Sequence, residues 1–415
     1  MNEKSASPDD GIQVPDPVWR YIEKDRFETP TAPTKLPDRR EILRLWRWLR
    51  PGGESLDSDS GNESPNPLPR LSRRLRDHLA PEPDRAAAAV ALEEALAPRL
   101  DDPESAGLSV LVLGAPRSDT PRILEIWAEA RGWPAVAPPE PERILARDED
   151  WLAALKDRDR PWVLPRLEKC WLRHADGLWP IQRLLDMLAN GEAGNCVIGC
   201  DSWAWEFFAR IPPGVAGLPR PRIARAWDAD RLARWLGPLA ASAGVAIREA
   251  DDGKLVLPGS NPGDSSEESE ESGDFLRHLA ACCRGIPAVA RALWLRALES
   301  GGETPPGESG PPTVSALREI RIPSWKSLRL PKPPEDARRH AIVLHTLLLH
   351  DGLPSSLLPR LLPLSPAEIA GSLHRLRAAE LVEAKNGHWR VSAIGYPAAR
   401  KLLRGEGYLA DFDGK

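Results

Sequence analysis

From residue 108 onward the chain alternates short apolar runs with amphipathic helical stretches, and no other feature narrows its fold as much. Strands are expected at 108–113, 135–137, 162–165, 195–199 and 222–227, with helices at 121–131, 149–156, 179–189 and 203–210. About five strand–helix steps in roughly 120 residues match the usual lengths of such units. Helices interleaved with strands call for a parallel sheet covered on its faces. The expected class is therefore α/β.

The first of these units carries the most chemical information. Its strand runs into Gly114, Ala115, Pro116, Arg117, Ser118, Asp119, Thr120 and Pro121, and then into a helix. The segment LSVLVLGAPRSDTPRILEIWA resembles the first strand, phosphate loop and helix of P-loop NTPases of the AAA/STAND, ORC-like group. A working loop reads G-x-x-x-x-G-K-[ST]: the glycines let N–H groups turn inward, the lysine meets the β- and γ-phosphates, and the hydroxyl ligates Mg2+. Here Gly114 keeps the first glycine, while Asp119 stands at the second, Thr120 at the lysine and Pro121 at the Ser/Thr. Asp119 is expected to cap the helix itself and to repel the anion that the positive end of the dipole would attract. Pro121 suits the first helical turn. Loss of the lysine's charge-assisted hydrogen bond, about 1.5–3 kcal/mol, weakens triphosphate binding by ~10–150-fold. An ordinary strand–turn–helix unit would be equally inactive.

The resemblance extends over about residues 108–298, keeping the order of elements and thinning in motif. In PWVLPRLEKCWLRHADGLWPIQRLL the family places four apolar residues and then two acids. Pro165 and Arg166 follow the strand instead, and Glu168 is the nearby carboxylate, expected to pair with Arg166 or Arg173. VIGCDSWAWEFF resembles the fourth strand and sensor position. It sets Asp201 or Ser202 at the strand end where open α/β sheets hold ligands, though both are also good N-caps for the next helix. A helical pair over 275–298, turning at Gly285, Ile286 and Pro287, resembles the helical lid of these cores. The resemblance implies a degenerate nucleotide site of Gly114, Ser118, Thr120, Glu168 and Asp201. It implies no catalytic residue, no metal and no cofactor, with ATP binding weak or absent.

Elsewhere composition decides. Pro 44 and Gly 31 in 415 residues imply long stretches outside any packed core. Residues 1–105 read as a flexible, largely disordered arm with short amphipathic helices at 40–50, 71–79 and 84–96, the last stopping short of Pro98. These helices either pack on the core or bind a partner. In 40–50, Ile42, Leu45, Trp46 and Leu49 oppose Arg40, Arg44, Arg47 and Arg50, a pattern that also fits peripheral membrane contact. Residues 106–300 form the expected core and lid, with a disordered acidic insert at 258–273 that contains SSEESEES, and 301–335 read as a linker.

Residues 336–415 offer helical patterns at 337–350, 355–362 and 365–380. A hairpin in LVEAKNGHWRVS, turning at Asn386 and Gly387, and a last helix at 396–403 follow. Three helices and a β-wing resemble a winged-helix domain. Its third helix carries Arg375 and Arg377 beside Glu368 and Glu380, and the wing adds Lys385 and Arg390 as nucleic-acid- or partner-binding candidates. Trp389 in the wing is expected in the core.

A net charge of -5 with 28% charged residues removes the footprint of a dedicated nucleic-acid binder. Five cysteines, an odd number, fit a reduced cytoplasmic compartment, and Cys196 and Cys200, spaced like a metal pair, read as part of a strand with no second Cys/His pair at finger spacing. No window approaches the ~20 apolar residues that span a bilayer. The leading expectation is a non-catalytic pseudo-NTPase scaffold or regulatory adaptor with an unidentified protein partner and no evident small-molecule substrate. A winged-helix DNA-binding regulator and an AAA/STAND ATPase with atypical motifs stand as alternatives.

Overall fold

The computed structural model describes residues 18–33, 69–101, 108–156, 160–212, 214–215, 218–257, 273–304 and 318–412. They form a mixed α/β architecture with three sheets. The central sheet contains β1 (Tyr21–Glu23), β2 (Ser109–Gly114), β3 (Trp162–Leu164), β4 (Cys196–Asp201) and β5 (Arg222–Ala224), in the order β1-β5-β2-β4-β3. β2 runs parallel to β4 and β5, and β3 parallel to β4, while β1 closes one edge antiparallel to β5. A parallel bridge from Ala135 to Val163 continues the sheet past β3, so the expected strand at 135–137 is reduced to one bridge. Every residue of β2 and β4 is buried, which places these strands at the centre with helices over both faces. Their register brings Gly114 opposite Asp201 at the carboxyl edge.

Part of the amino-terminal arm is folded: two of its expected helices pack on the core, and a strand that the sequence does not announce joins the sheet. β1 belongs to the sheet, and α1 (Arg73–Leu79) and α2 (Arg85–Leu100) pack on the body of the protein. Trp294 Nε1 donates to the Leu79 carbonyl at 3.0 Å, and Glu93 of α2 accepts from Trp127 Nε1 at 2.7 Å and from Arg131. The Asp84 side chain caps α2 at the amides of Ala86 and Ala87. The helix runs through Pro98 instead of stopping before it, because a proline this close to the end forfeits one backbone bond and disturbs little beyond it. The amphipathic stretch at 40–50 and the acidic insert, apart from its last residue, lie outside the described residues.

Two elements flank the loop after β2. α3 (Thr120–Arg131) follows it, and short helices α4 (Pro141–Leu145) and α5 (Asp150–Ala153) lead to β3. α6 (Trp179–Ala189) and α7 (Ser202–Phe208) bracket β4. α8 (Ala229–Ala243) leads into a second sheet of β6 (Val245–Glu249), β7 (Leu255–Leu257), β8 (Gly302–Thr304) and β9 (Arg318–Ile322), ordered β7-β6-β9-β8. Residues 301–335 are thus not simply a linker. The alternation in REIRI, with Ile320 and Ile322 buried, is a strand signal hidden among prolines and glycines. α9 (Gly273–Cys283) and α10 (Pro287–Glu299) form the helical pair, hinged at Gly285 with φ +70°.

The carboxyl-terminal module comprises α11 (Ala337–Leu349), α12 (Leu358–Leu361), α13 (Pro366–Ala378) and α14 (Tyr396–Gly405) with a three-stranded sheet. The strands β10 (Leu353–Pro354), β11 (Val382–Lys385) and β12 (His388–Val391) are ordered β10-β12-β11. Ser365 and Glu368 close a capping box at the start of α13. Asn386 and Gly387 have φ of +51° and +77°, the positive values that a two-residue hairpin turn matched to strand twist requires.

Gly199 in β4 is wedged between α3 and the end of β3: a Cβ there would run into Leu124 Cδ1 and the Pro165 carbonyl. Gly237 in α8 has open space. Gly199→Ala is expected to destabilise the fold by about 1–3 kcal/mol through overpacking, and Gly237→Ala to stabilise it by roughly 0.5–1 kcal/mol. Shifts in the urea unfolding midpoint of the two variants, in opposite directions, check this.

Candidate functional site

The carboxyl ends of β2, β3 and β4 converge on one edge, and the loop after β2 lies across it. The Ser118 amide donates to the Ala115 carbonyl at 3.0 Å, with Pro116 and Arg117 between them and Arg117 at φ +70°. That places proline first and a left-handed residue second, the pattern of a type II turn. Asp119 is also left-handed, at φ +56°, where the working motif has a glycine. The glycine-type backbone persists on a residue that adopts it at a cost.

Asp119 does not cap α3 with its side chain, which corrects the expectation. A capping residue normally has extended φ/ψ, which directs its oxygen to the amides of the first turn. In the left-handed region the carboxylate faces elsewhere and is gripped by Arg85, whose Nε and Nη2 donate to Oδ2 at 2.9 and 2.7 Å. The side chain at the lysine position, Thr120, is buried, and its Oγ1 meets Ser118 Oγ at 2.8 Å. These two hydroxyls occupy the space a Cβ on Gly114 would need.

Across the edge, Glu168 is 1% exposed and accepts the Asp201 amide on Oε2 at 3.2 Å. It pairs with neither expected arginine: Arg166 reaches Asp351 at 3.5 Å, and Arg173 donates to Thr346 Oγ1 at 3.0 Å. Both are drawn to the carboxyl-terminal module, leaving Glu168 in the interior. Burial, reinforced by the Asp351 carboxylate, pushes Glu168 up to about 7. Burial likewise raises Asp201 well above the usual carboxylate range, with Asp351 and Glu168 adding repulsion. Asp201 does cap α7, its Oδ1 accepting from the Trp203 amide at 2.8 Å, as its sequence position suggests.

The module closes the edge from above. Lys169 Nζ donates to the carbonyls of Asp351 and Gly352 at 3.1 and 2.6 Å, and burial lowers its pKa. His350 is buried. Its Nε2 accepts the Arg173 amide at 3.3 Å and its Nδ1 lies 3.4 Å from the Glu168 carbonyl, an arrangement that suits the neutral ring. Burial, with Lys169 nearby, pushes His350 down to about 3. A cavity of about 90 Å3 remains, lined by Gly114, Asp119, Glu168, Asp201, Asp351 and Arg390 among others.

The structure thus gathers Gly114, Ser118, Thr120, Glu168 and Asp201 and adds Arg390 from the wing. The other basic candidates do not line this cavity. Arg375 is tied to Asp336, while Arg377 and Lys385 are exposed. Trp389 is half-buried against the core, opposite Leu353 and Ala384. The guanidiniums around the cavity hold carboxylates: Arg117 and Arg390 both reach Glu383, at 3.1 and 2.8 Å. Arg85, Arg117, Lys169, His350 and Asp351 were not foreseen. The positive-φ pair Asp351-Gly352 ending a helix is the one local signal that marked their junction.

Among the described residues, no group of three or more His, Cys, Asp or Glu could hold a metal ion, and no helix is long and apolar enough to cross a membrane. No family model matches the chain, and neither do the curated proteins or the solved structures.

Glu168 makes the seam pH-sensitive. Its folded pKa of about 7 lies above the ordinary 4.5, so its stabilising contribution is full below the unfolded value and is lost as pH rises to about 7. Glu168→Gln is therefore expected to gain on the parent protein between about pH 4.5 and 7, by up to about 3 kcal/mol, and to keep a constant lead above that. Paired urea titrations across this range test it; a pH-independent difference would remove Glu168 as the source.

Proposed function

We propose that the protein is a non-catalytic scaffold or regulatory adaptor. On this reading it is a degenerate member of the P-loop NTPase class whose nucleotide edge is closed by its own winged-helix-like carboxyl-terminal module. The central sheet supports the reading. Counting the Ala135 bridge, the loop-bearing strand β2 sits between the last parallel strand, β5, and β4, with β3 and then the Ala135 segment outside. The order is consistent with a nucleotide-binding α/β core, and the loop lies at the carboxyl edge, where such folds hold ligands.

The observation that carries the reading is the state of the loop. Where a triphosphate needs a lysine, Thr120 is buried and bonded to Ser118; where it needs a glycine's bare backbone, Asp119 brings a carboxylate locked to Arg85. The cavity behind adds Glu168, Asp201 and Asp351. A polyanion entering here would meet carboxylates first and would have to break existing ion pairs to recruit a cation, both unfavourable at low dielectric. The docked module leaves its other faces for a protein partner. The DNA-binding alternative draws less support, because Arg375 and Arg390 are already engaged with Asp336 and Glu383.

Calorimetric titration with Mg-ATP is expected to show no saturable binding in the range of about 1–100 μM. Micromolar binding would overturn the proposal. The triple substitution Asp119→Gly, Thr120→Lys, Pro121→Thr restores the motif and is expected to raise affinity at least ~10-fold over the parent chain.

A further inference from the structure

The amino-terminal segment is held to the core by little backbone. β1 is three residues long and lies at the edge of the sheet, paired with β5 alone. The pairing is bounded by the Lys24 amide on the Pro221 carbonyl at 2.9 Å and the Arg225 amide on the Arg20 carbonyl at 2.8 Å. A two-stranded contact this short is marginal by itself. Side chains supply the rest. Trp19 packs edge-on against Trp227 at 5.1 Å, Lys24 Nζ donates to Glu206 Oε1 at 2.7 Å, and the ring of Phe27 meets that of Phe412 at 5.3 Å between centroids. Lys24 Nζ also lies over the Phe412 ring, 4.8 Å from its centroid. Phe27 and Lys24, two anchors of the segment, thus lean on one residue from beyond α14.

Phe412 belongs to the tail that leaves α14, and this tail is bound to the carboxyl-terminal module more firmly than Phe412 is bound to the core. Asp411 accepts from Tyr396 OH at 2.7 Å and from Arg400 Nε at 2.5 Å, both on α14. Asp411 is 7% exposed and Arg400 6%, so the two form a buried ion pair whose separation would strand both charges. The Leu409 carbonyl meets His345 Nε2 on α11 at 3.1 Å, and the Tyr408 ring packs on the same imidazole at 5.0 Å. Phe412, by contrast, holds the rest of the molecule through a ring edge, an ammonium over its face and one hydrogen bond, from Arg284 Nη2 to its carbonyl at 2.8 Å. The weaker side yields first. If the module moves away, the tail goes with it, and the amino-terminal segment stays behind without its anchor.

We propose that the tail is a clasp between the two parts: displacement of the carboxyl-terminal module withdraws Phe412 and frees residues 18–27 from the edge of the central sheet. Coupling of this kind is reciprocal, so a partner that captures the freed segment loosens the module in turn. Binding at either part is then felt at the other, which gives the adaptor reading a means of regulation. The clasp rests on the packing of the tail and not on the state of the loop after β2, so nucleotide binding at that loop would overturn the scaffold reading and leave the clasp standing.

Hydrogen exchange of the full chain, read by mass spectrometry in peptides spanning 18–27 and 222–227, tests the clasp. Phe412→Ala removes one aromatic pair and one cation–π contact. It is expected to speed exchange in these peptides, which hold the Lys24 and Arg225 amides, at least ~10-fold, while peptides of β2 and β4 stay within about 2-fold of the parent chain. Asp411→Asn weakens the grip of the tail on α14 and is expected to act in the same direction, by ~3-fold or more. Phe27→Ala supplies the reciprocal arm and should speed exchange across 408–412 by ~3-fold or more. If Phe412→Ala fails to fold, Asp411→Asn and Phe27→Ala carry the test. Unchanged exchange at 18–27 in the folded tail variants, acceleration spread equally over β2 and β4, or a tail indifferent to Phe27→Ala would overturn the proposal.

Discussion

The ammonium of Lys169, set on the two carbonyls that follow α11, is the interaction on which the seam between the core and the carboxyl-terminal module depends. The end of a helix carries unsatisfied carbonyls and a partial negative charge, and a lysine there meets both needs. Lys169 comes from the turn after β3, so one side chain joins the central sheet to α11. Around it the same seam collects Arg173 on Thr346, Arg166 on Asp351, Arg117 on Glu383 and Trp203 Nε1 on Tyr396 OH. Moving the module away would strip the part-buried Lys169 ammonium of both carbonyls, while the partly exposed ion pairs Arg166–Asp351 and Arg117–Glu383 each contribute less.

This closure sets the electrostatics of the edge. With water excluded, burial raises Glu168 and Asp201, the Asp351 carboxylate adds to both shifts and Glu168 adds to that of Asp201, while Lys169 spends its hydrogen bonds on backbone and not on any of these carboxylates. His350 responds to the same burial in the opposite sense and stays neutral. An acid raised to about 7 and a histidine lowered to about 3 within one seam leave both groups largely uncharged between those two values, in the mildly acidic range, and Glu168 ionises as pH passes neutrality.

The parallel strands β2 to β5 of the central sheet are legible because each apolar run is short and bounded by polar turns, whereas β1, three residues in a polar arm, is not. β2 and β4 fall within one or two residues of their expected places, and the hairpin at Asn386-Gly387 follows from residues that tolerate positive φ. What stayed hidden has a common cause in tertiary context. β6 to β9 are brief, and β9 pairs in parallel with β6 across 68 intervening residues, so local pattern cannot join them. Sequence proximity pairs Glu168 with Arg166 or Arg173 because nothing local reveals that these two turn toward partners 185 and 173 residues on. Position alone marks Asp119 as a cap. Capping depends on backbone φ, which a sequence of this composition leaves open.

In a working phosphate loop the ligand supplies the negative charge and the protein the positive, so the loop is ordered by what it binds. Under the reading proposed here the chain supplies both signs. Asp119 stands as the anion for Arg85 at the mouth of the loop, and Glu383 and Asp351 stand as anions for Arg117, Arg390 and Arg166 behind it. An edge that in a switch would be ordered on ligand binding and released on hydrolysis is ordered permanently by intramolecular ion pairs. Such an edge cannot report a nucleotide state, and its rigidity suits a platform that holds the carboxyl-terminal module in one orientation toward a partner. On that reading the exposed basic candidates Arg377 and Lys385 would be parts of an interaction surface on a fixed frame and not of a ligand-gated arm.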